Sequence, residues 1–180
     1  MLPSPSARKR VVSIFILLLT CSITLPAHAV GPGADVFVGY SHLFSNTFYP
    51  NSGGLNGWTG AMHVKLKPFF GIEGDLSHYG FGANASVPRT TTFLGGPRVT
   101  LGAAGIKVFV HALAGGEHSA NSSGPPISGT ALAVAVGGGA DVRFAPFFSW
   151  RVGVDYLNAP TQSPGSGTHA RFNTGLVFRF

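Results

Sequence analysis

The chain has 180 residues, of which 44% are hydrophobic and 10% are charged, and it contains 26 glycines, 13 prolines and one cysteine. So many apolar and so few charged residues exclude a disordered chain, and the positive mean hydropathy of +0.28 favours contact with lipid over an ordinary water-soluble domain. Half of the formal net charge of +6 comes from Arg8, Lys9 and Arg10, so the basic balance gives no reason to expect a nucleic-acid partner.

Residues 1–29 have the three regions of a secretory signal peptide. Basic residues at 8–10 precede an apolar run at 11–25, and Ala27-His28-Ala29 then provides a small-x-small cleavage pattern. We predict cleavage after Ala29, which leaves residues 30–180 as a single domain of ordinary size.

Two other fates of this N-terminal segment are less favoured. A transmembrane helix needs about 20 apolar residues, whereas the run at 11–25 is shorter and is interrupted by polar residues such as Thr24. A lipoprotein signal would use Cys21, but Thr20 precedes it where glycine, alanine or serine is expected. Because Cys21 is the one cysteine, its removal leaves a mature chain without thiol or disulfide chemistry.

Beyond residue 30, apolar and polar residues alternate in segments of about ten, which is the period of a β-strand. In the first segment Val36, Val38 and Tyr40 share one face, while Asp35 and Ser41 share the other. The same alternation predicts eight strands, at residues 34–44, 56–66, 70–79, 90–101, 106–118, 130–144, 150–157 and 168–180. Pro97 cannot donate to a ladder, so we expect a bulge or a locally broken pairing beside it.

The connections between these strands alternate in length. Four are long and polar, at residues 45–55, 80–89, 119–129 and 158–167, and the three between them, near residues 67–69, 102–105 and 145–149, are short. An even number of strands with short turns on one side and long loops on the other is typical of a bacterial outer-membrane barrel. Lipid permits no open sheet edge, so we predict an eight-stranded antiparallel up-and-down transmembrane β-barrel in which strands one and eight pair.

The charged residues of the strands fall on the polar face. An eight-stranded barrel is just wide enough for side chains to fill it, so we expect opposite charges to interlock there. The predicted interior charge network is Asp35, Glu73, Asp75, Arg98, His111, Glu117, Asp141, Arg143, Arg151, Asp155, Arg171 and Arg179.

The opposite face is apolar and is predicted to contact lipid. Its representatives are Val36, Val38, Val64, Leu76, Val110, Val134, Val152 and Leu176. Aromatic residues gather near the short turns, which predicts a girdle at the periplasmic membrane surface: Phe69, Phe70, Phe144, Phe147, Phe148, Trp150, Phe178 and Phe180. An outer girdle is predicted from Tyr40, Phe44, Trp58, Phe81, Phe93 and Tyr156.

Three Ser-His neighbours, Ser41-His42, Ser77-His78 and His118-Ser119, raise the question of a catalytic dyad. Adjacent strand residues point to opposite faces, so none of these pairs has the geometry of a nucleophile and its base. The alternation turns His42, His78 and His118 outwards, away from the acids. We therefore predict no enzyme and no catalytic, cofactor-binding or metal-binding residues.

Several short motifs, in this order and spacing, resemble the small eight-stranded outer-membrane barrels of the OmpA/OmpX type, in particular a family of such barrels from acidobacteria and their relatives. The motifs are Asp35-Val36-Phe37-Val38-Gly39-Tyr40-Ser41, Asn56-Gly57-Trp58, Phe70-Gly71-Ile72-Glu73-Gly74-Asp75, Gly96-Pro97-Arg98, Gly137-Gly138-Gly139-Ala140-Asp141, Arg151 and Asp155-Tyr156. The resemblance implies a bacterial outer-membrane location in contact with lipid and lipopolysaccharide. It also implies that the terminal Phe178 and Phe180 are a signal for the barrel-assembly machinery.

Three classes of function remain at this point. A structural or surface-binding role, in which the four long loops contact an extracellular ligand, leads because loops carry function on rigid scaffolds. A small-solute channel is the first alternative, although a sizeable pore needs more strands. A lipid A-modifying enzyme of the outer membrane is the second.

Overall fold

The computed structural model describes residues 33–44, 54–81, 89–120, 128–159 and 167–180. They form eight strands: β1 (Ala34–Phe44), β2 (Leu55–Lys65), β3 (Phe70–Phe81), β4 (Arg89–Ala103), β5 (Ile106–Ala120), β6 (Ser128–Ala145), β7 (Phe148–Ala159) and β8 (Gly167–Arg179). Among these residues no helix is long and apolar enough to cross a membrane. The predicted signal peptide, Cys21 and most of the four long loops lie outside the described residues.

Each strand pairs antiparallel with its neighbours in the chain, and β8 returns to β1 to close the barrel. At this closure Asp35 pairs with Arg179 and Phe44 with Ala170. The predicted fold, including the pairing of the first and last strands, is therefore confirmed. Closure satisfies the backbone groups that an open edge would expose to lipid.

Several strands extend further towards the long loops than the alternation predicts. The largest difference is in the β5–β6 hairpin, where Ser119 pairs with Gly129 and Ala120 with Ser128. Serine and glycine suggested a loop there, but the ladder continues because strand pairing depends on the backbone more than on these small side chains.

Pro97 interrupts one of its two ladders. It pairs with Ile72 of β3, whereas the ladder with β5 runs to Gly95 and resumes at Arg98 in the same register. The locally broken pairing expected beside Pro97 is therefore present, without a shift. Register shifts occur elsewhere, between Asn56 and Gly57 of β2 and between Arg143 and Ala145 of β6.

The turn between β4 and β5 has an unusual residue in a left-handed conformation. Ala104 has a φ of 52° and Gly105 a φ of 86°, and they connect the paired residues Ala103 and Ile106. Two central residues with positive φ match the twist of the flanking strands, and Asn-Gly is the sequence that favours such a turn.

Hydrophobic residues lie on the outer wall of the barrel, and charged residues lie in its lumen. Leu132, Val136 and Val110 are 68%, 62% and 61% exposed on the outer wall, while Arg98 and Arg171 are each 1% exposed in the lumen. This distribution suits a barrel whose solvent is hydrocarbon.

Aromatic side chains mark both ends of this outer wall. Near the short turns, Phe144 stacks on Phe148, which meets Phe178 edge to face, and Trp150 is exposed beside them. Trp58 is exposed near the loop end of β2. Of the predicted outer girdle, the side chain of Phe81 lies outside the described part of the chain.

Candidate functional site

The lumen is filled, and its filling has two parts. Towards the long loops lies an apolar plug, which we define as the buried residues Leu43, Tyr79, Leu94, Leu113, Ala133, Ala135 and Leu157, with Leu55 packed against them. Towards the short turns lie most of the ionised side chains, together with the buried Phe37, Ala61 and Val177. Strand alternation sends every second residue inwards, so the order of apolar and charged inward residues along each strand determines both parts.

Arg171 is at the centre of one half of the charged part. Its Nε donates to Asp155 Oδ2 at 2.6 Å, and its Nη1 donates to Asp75 Oδ1 at 2.7 Å. Asp155 lies directly opposite on β7, whereas Asp75 comes from β3 on the other side of the lumen. Ser77 and Thr59 complete the hydrogen bonds around Asp75. One guanidinium therefore ties three strands together.

The other half is centred on Arg98 and Arg151. Arg98 Nη1 donates to Glu73 Oε2 at 2.6 Å, and its Nη2 lies 3.5 Å from Asp141 Oδ2. Arg151 holds Asp141 with two bonds, from Nε at 2.7 Å and from Nη2 at 3.1 Å. Such a two-bond pair is both stronger and more directional than a single contact.

His111 joins the two halves. Its Nε2 lies 2.8 Å from Asp155 Oδ1, and its Nδ1 lies 3.2 Å from Glu73 Oε1. All three side chains are buried. The result is one continuous network from Asp75 to Arg151 that crosses the lumen.

Aromatic rings pack against this network. The Arg98 guanidinium lies 3.8 Å from the centre of the Phe109 ring, and that of Arg151 lies 4.6 Å from the same ring and 4.8 Å from Phe37. Gly39 and Gly139 leave the space these rings need, because a Cβ at either position would stand less than 3.0 Å from a ring carbon. Sequence reasoning assigned no role to Phe37 or Phe109, although their alternation with inward charges was a usable signal.

The remaining predicted network residues lie apart from this centre. Glu117 is buried, but it lies near the loop end of β5, beyond Leu113 of the apolar plug. Asp35 and Arg179 are buried at the turn end of the lumen, with Arg179 Nε 3.9 Å from Asp35 Oδ1. Arg143 was predicted inside but is exposed. It precedes the register shift at the end of β6, so it lies at the rim, where the lumen opens to solvent.

Two of the three Ser-His pairs are divided by the barrel wall. Ser41 and Ser77 are fully buried in the lumen, whereas His42 and His78 face outwards. His42 Nδ1 lies 2.7 Å from Asn56 Oδ1, and His78 Nδ1 lies 2.9 Å from Thr91 Oγ1 on the next strand. His118 Nδ1 similarly lies 3.2 Å from Thr130 Oγ1. These contacts link neighbouring strands, and neither Ser41 nor Ser77 lies on the same side of the wall as the histidine next to it.

Comparison with known proteins gives a match only at the level of structure, since no protein-family model and no curated protein sequence matches the chain. The N-terminal β-barrel domain of OprF from Pseudomonas aeruginosa has a TM-score of 0.62 at 12% identity, covering 83% of this chain and 98% of that one. Neisserial surface protein A has a TM-score of 0.61 at 11% identity, covering 82% and 96%. Ail, the attachment invasion locus protein of Yersinia pestis, has a TM-score of 0.57 at 16% identity, covering 84% and 100%.

These likenesses and the closed eight-stranded sheet define the class: the chain has the fold of the small transmembrane β-barrels of bacterial outer membranes. At such low identities the likeness concerns the fold alone. The apolar outer wall is what this class requires of a protein in the outer membrane, and it supports the predicted location independently of the comparisons.

Proposed function

We propose that this protein is an outer-membrane surface protein in which a filled, ion-paired barrel holds four external loops for binding. The observation that carries the proposal is the filling of the lumen. The apolar plug, with Leu157 and Ala133 fully buried, lies above a network of paired charges, so the barrel offers a rigid support more readily than a passage.

The main alternative is a small-solute channel, and conductance distinguishes the two. We expect the protein in planar bilayers to show no steady ion current. A double variant that empties the plug, Leu113→Gly with Leu157→Gly, should also show no steady current, because the charged network still crosses the lumen. A steady current from the unaltered protein would contradict the proposal.

The loop sequences indicate which kind of ligand suits the surface. Residues 45–53, 82–88, 121–127 and 160–166 contain no Asp, Glu, Lys or Arg and are rich in Ser, Asn, Gly and Pro. Ail was crystallised with the heparin analogue sucrose octasulfate, a polyanion that calls for positive charge. The uncharged loops of this chain favour a neutral glycan or polypeptide surface instead.

Attachment assays test this proposal. Cells displaying the protein should bind an extracellular surface or a neutral glycan array, and the binding should change little between low and high salt because no charged loop contact is screened. Replacing the four loops with short Asn-Gly turns should abolish attachment while leaving the heat-modifiable barrel intact. Attachment that survives the loop replacement would contradict the proposed role.

Other partners follow from the same proposal. The outer girdle would contact lipopolysaccharide, and Phe178 and Phe180 would be recognised by the barrel-assembly machinery. No enzymatic activity is proposed, because the outward histidines pair with Asn56, Thr91 and Thr130 and not with an acid. Unchanged lipid A masses after expression are the expected result; a new lipid A species would favour the enzyme.

A further inference from the structure

The basic side chains inside the barrel are not spread evenly. In the centre of the lumen, Arg98, Arg151, Arg171 and His111 are matched by four acids: Glu73, Asp75, Asp141 and Asp155. At the turn end, within the described residues, the inward Lys65, Lys107, Arg179 and His63 lie around one further acid, Asp35, and the exposed Arg143 lies beside them at the rim. We call the basic mouth the group of Lys65, Lys107 and Arg179 near Asp35, together with Arg143, which lies near Lys107.

The positions of the basic mouth follow from the ladders. Lys107 pairs with Asp141 between β5 and β6, but Asp141 already accepts both bonds of Arg151. Lys65 Nζ lies 3.5 Å and His63 Nδ1 lies 3.3 Å from Asp35 Oδ2, so several basic side chains share this one carboxylate. The basic mouth therefore has an excess of positive charge that the central network does not neutralise.

Arg179 gives the second and independent observation. Its side chain is 8% exposed, and neither its Nε nor its Nη2 has a hydrogen-bond partner within the described part of the chain. The nearest carboxylate oxygens, of Asp35 and Asp141, lie 3.9 and 3.8 Å away. A buried guanidinium with unused donors is costly, and an oxyanion is the ligand that matches the geometry of those donors.

We propose that the basic mouth is an anion-binding site that takes a phosphate group at the periplasmic end of the barrel. Arg179 supplies the donors, and Lys65, Lys107 and Arg143 supply the field that attracts the anion. The phosphate can be free in the periplasm or part of a phospholipid headgroup of the inner leaflet. This site lies at the opposite end from the external loops and does not depend on their proposed role.

The first experiment uses inorganic phosphate as the probe. The folded protein in an uncharged, phosphate-free detergent should bind phosphate by titration calorimetry, and the binding should weaken as salt is raised. Arg179→Gln should weaken it by about tenfold or more, the loss expected for a charged hydrogen bond. Lys67→Gln is the matched control, because Lys67 is exposed in the turn at the same end but outside the lumen, and it should bind as the unaltered protein does.

A second variant keeps the proposal testable if Arg179→Gln does not fold. The double variant Lys107→Gln and Arg143→Gln removes two of the positive charges that attract the anion, but no hydrogen bond of the central network. It should also weaken phosphate binding. No binding by the unaltered protein, or equal binding by all variants, would overturn the proposal.

The source of the phosphate is decided separately. Native mass spectrometry of protein extracted from membranes containing phosphatidylglycerol should show a retained lipid if the headgroup is the ligand, and this retained lipid should be lost in Arg179→Gln. Calorimetric binding of free phosphate without lipid retention would assign the site to a soluble anion.

Discussion

Arg171 and Asp155 lie directly opposite each other in the β7–β8 ladder and are joined by a 2.6 Å hydrogen bond. The same guanidinium reaches Asp75 on β3, so the last hairpin is fastened to the far wall of the barrel by a single side chain.

We expect Arg171→Met to destabilise the barrel by about 3–5 kcal/mol, because it strands the buried carboxylate of Asp75 without a cation and leaves Asp155 with His111 alone. Urea unfolding in lipid vesicles measures the loss. The control is Arg89→Met, at the exposed start of β4, which should change the free energy of unfolding by much less. Similar losses for the two variants would contradict a buried role for Arg171.

The outer wall is tested with Val136→Arg. Val136 is 62% exposed to the outside, and arginine facing lipid near the midplane costs about 2–4 kcal/mol. Val136→Leu is the control and should be close to neutral. If Val136→Arg leaves the free energy of unfolding unchanged, residue 136 faces water and not lipid.

The neighbouring inward position gives a different expectation. The sequence alone predicts that arginine at the inward Ala133 or Ala135 costs much less than on the lipid face if the lumen has room, but both side chains are at most 1% exposed within the apolar plug. Ala135→Leu should therefore cost about 1–3 kcal/mol by overpacking, in contrast to Val136→Leu one residue away. Equal stability of the two leucine variants would show unfilled space in the plug.

Ala104 offers a stabilising change. Its positive φ is unfavourable for alanine by about 1–2 kcal/mol, and Asn before Gly105 suits this turn. We expect Ala104→Asn to raise the free energy of unfolding by part of that amount. Ala145→Asn, at the end of β6 before another short turn, is the control and should bring no such gain.

The C-terminal strand is needed for closure. Deleting residues 178–180 removes the pairs of Phe178 with Val36 and of Arg179 with Asp35, and each unsatisfied backbone group in lipid costs several kcal/mol. The shortened protein should not appear in the outer-membrane fraction as a compact band in unboiled gels. If it does, the closure of β1 with β8 is not essential for insertion.

Strand number, closure and facing direction could be predicted because alternation in a lipid-exposed barrel repeats at every strand. The partners inside could be predicted only where they are neighbours in the ladder, as Asp155 and Arg171 are. The contact between Arg171 and Asp75 spans the lumen, and it depends on the tilt and stagger of all eight strands, which no local pattern encodes.

Position along a strand was also beyond the sequence pattern. Arg143 has the right alternation for the interior, yet it lies at the rim beside a register shift. Glu117 is buried but belongs to the loop end. The alternation gives the side of the wall a residue faces and does not give its height.

Trp58 and Trp150 are the two tryptophans of the chain, and both lie on the outer wall, near opposite ends of the barrel. The tryptophan fluorescence of the protein therefore originates from two indoles on the lipid-facing wall. Quenching by lipids brominated at different depths would locate each indole once the other is replaced by phenylalanine. The two tryptophans therefore report the depth of the barrel in a bilayer without an added label.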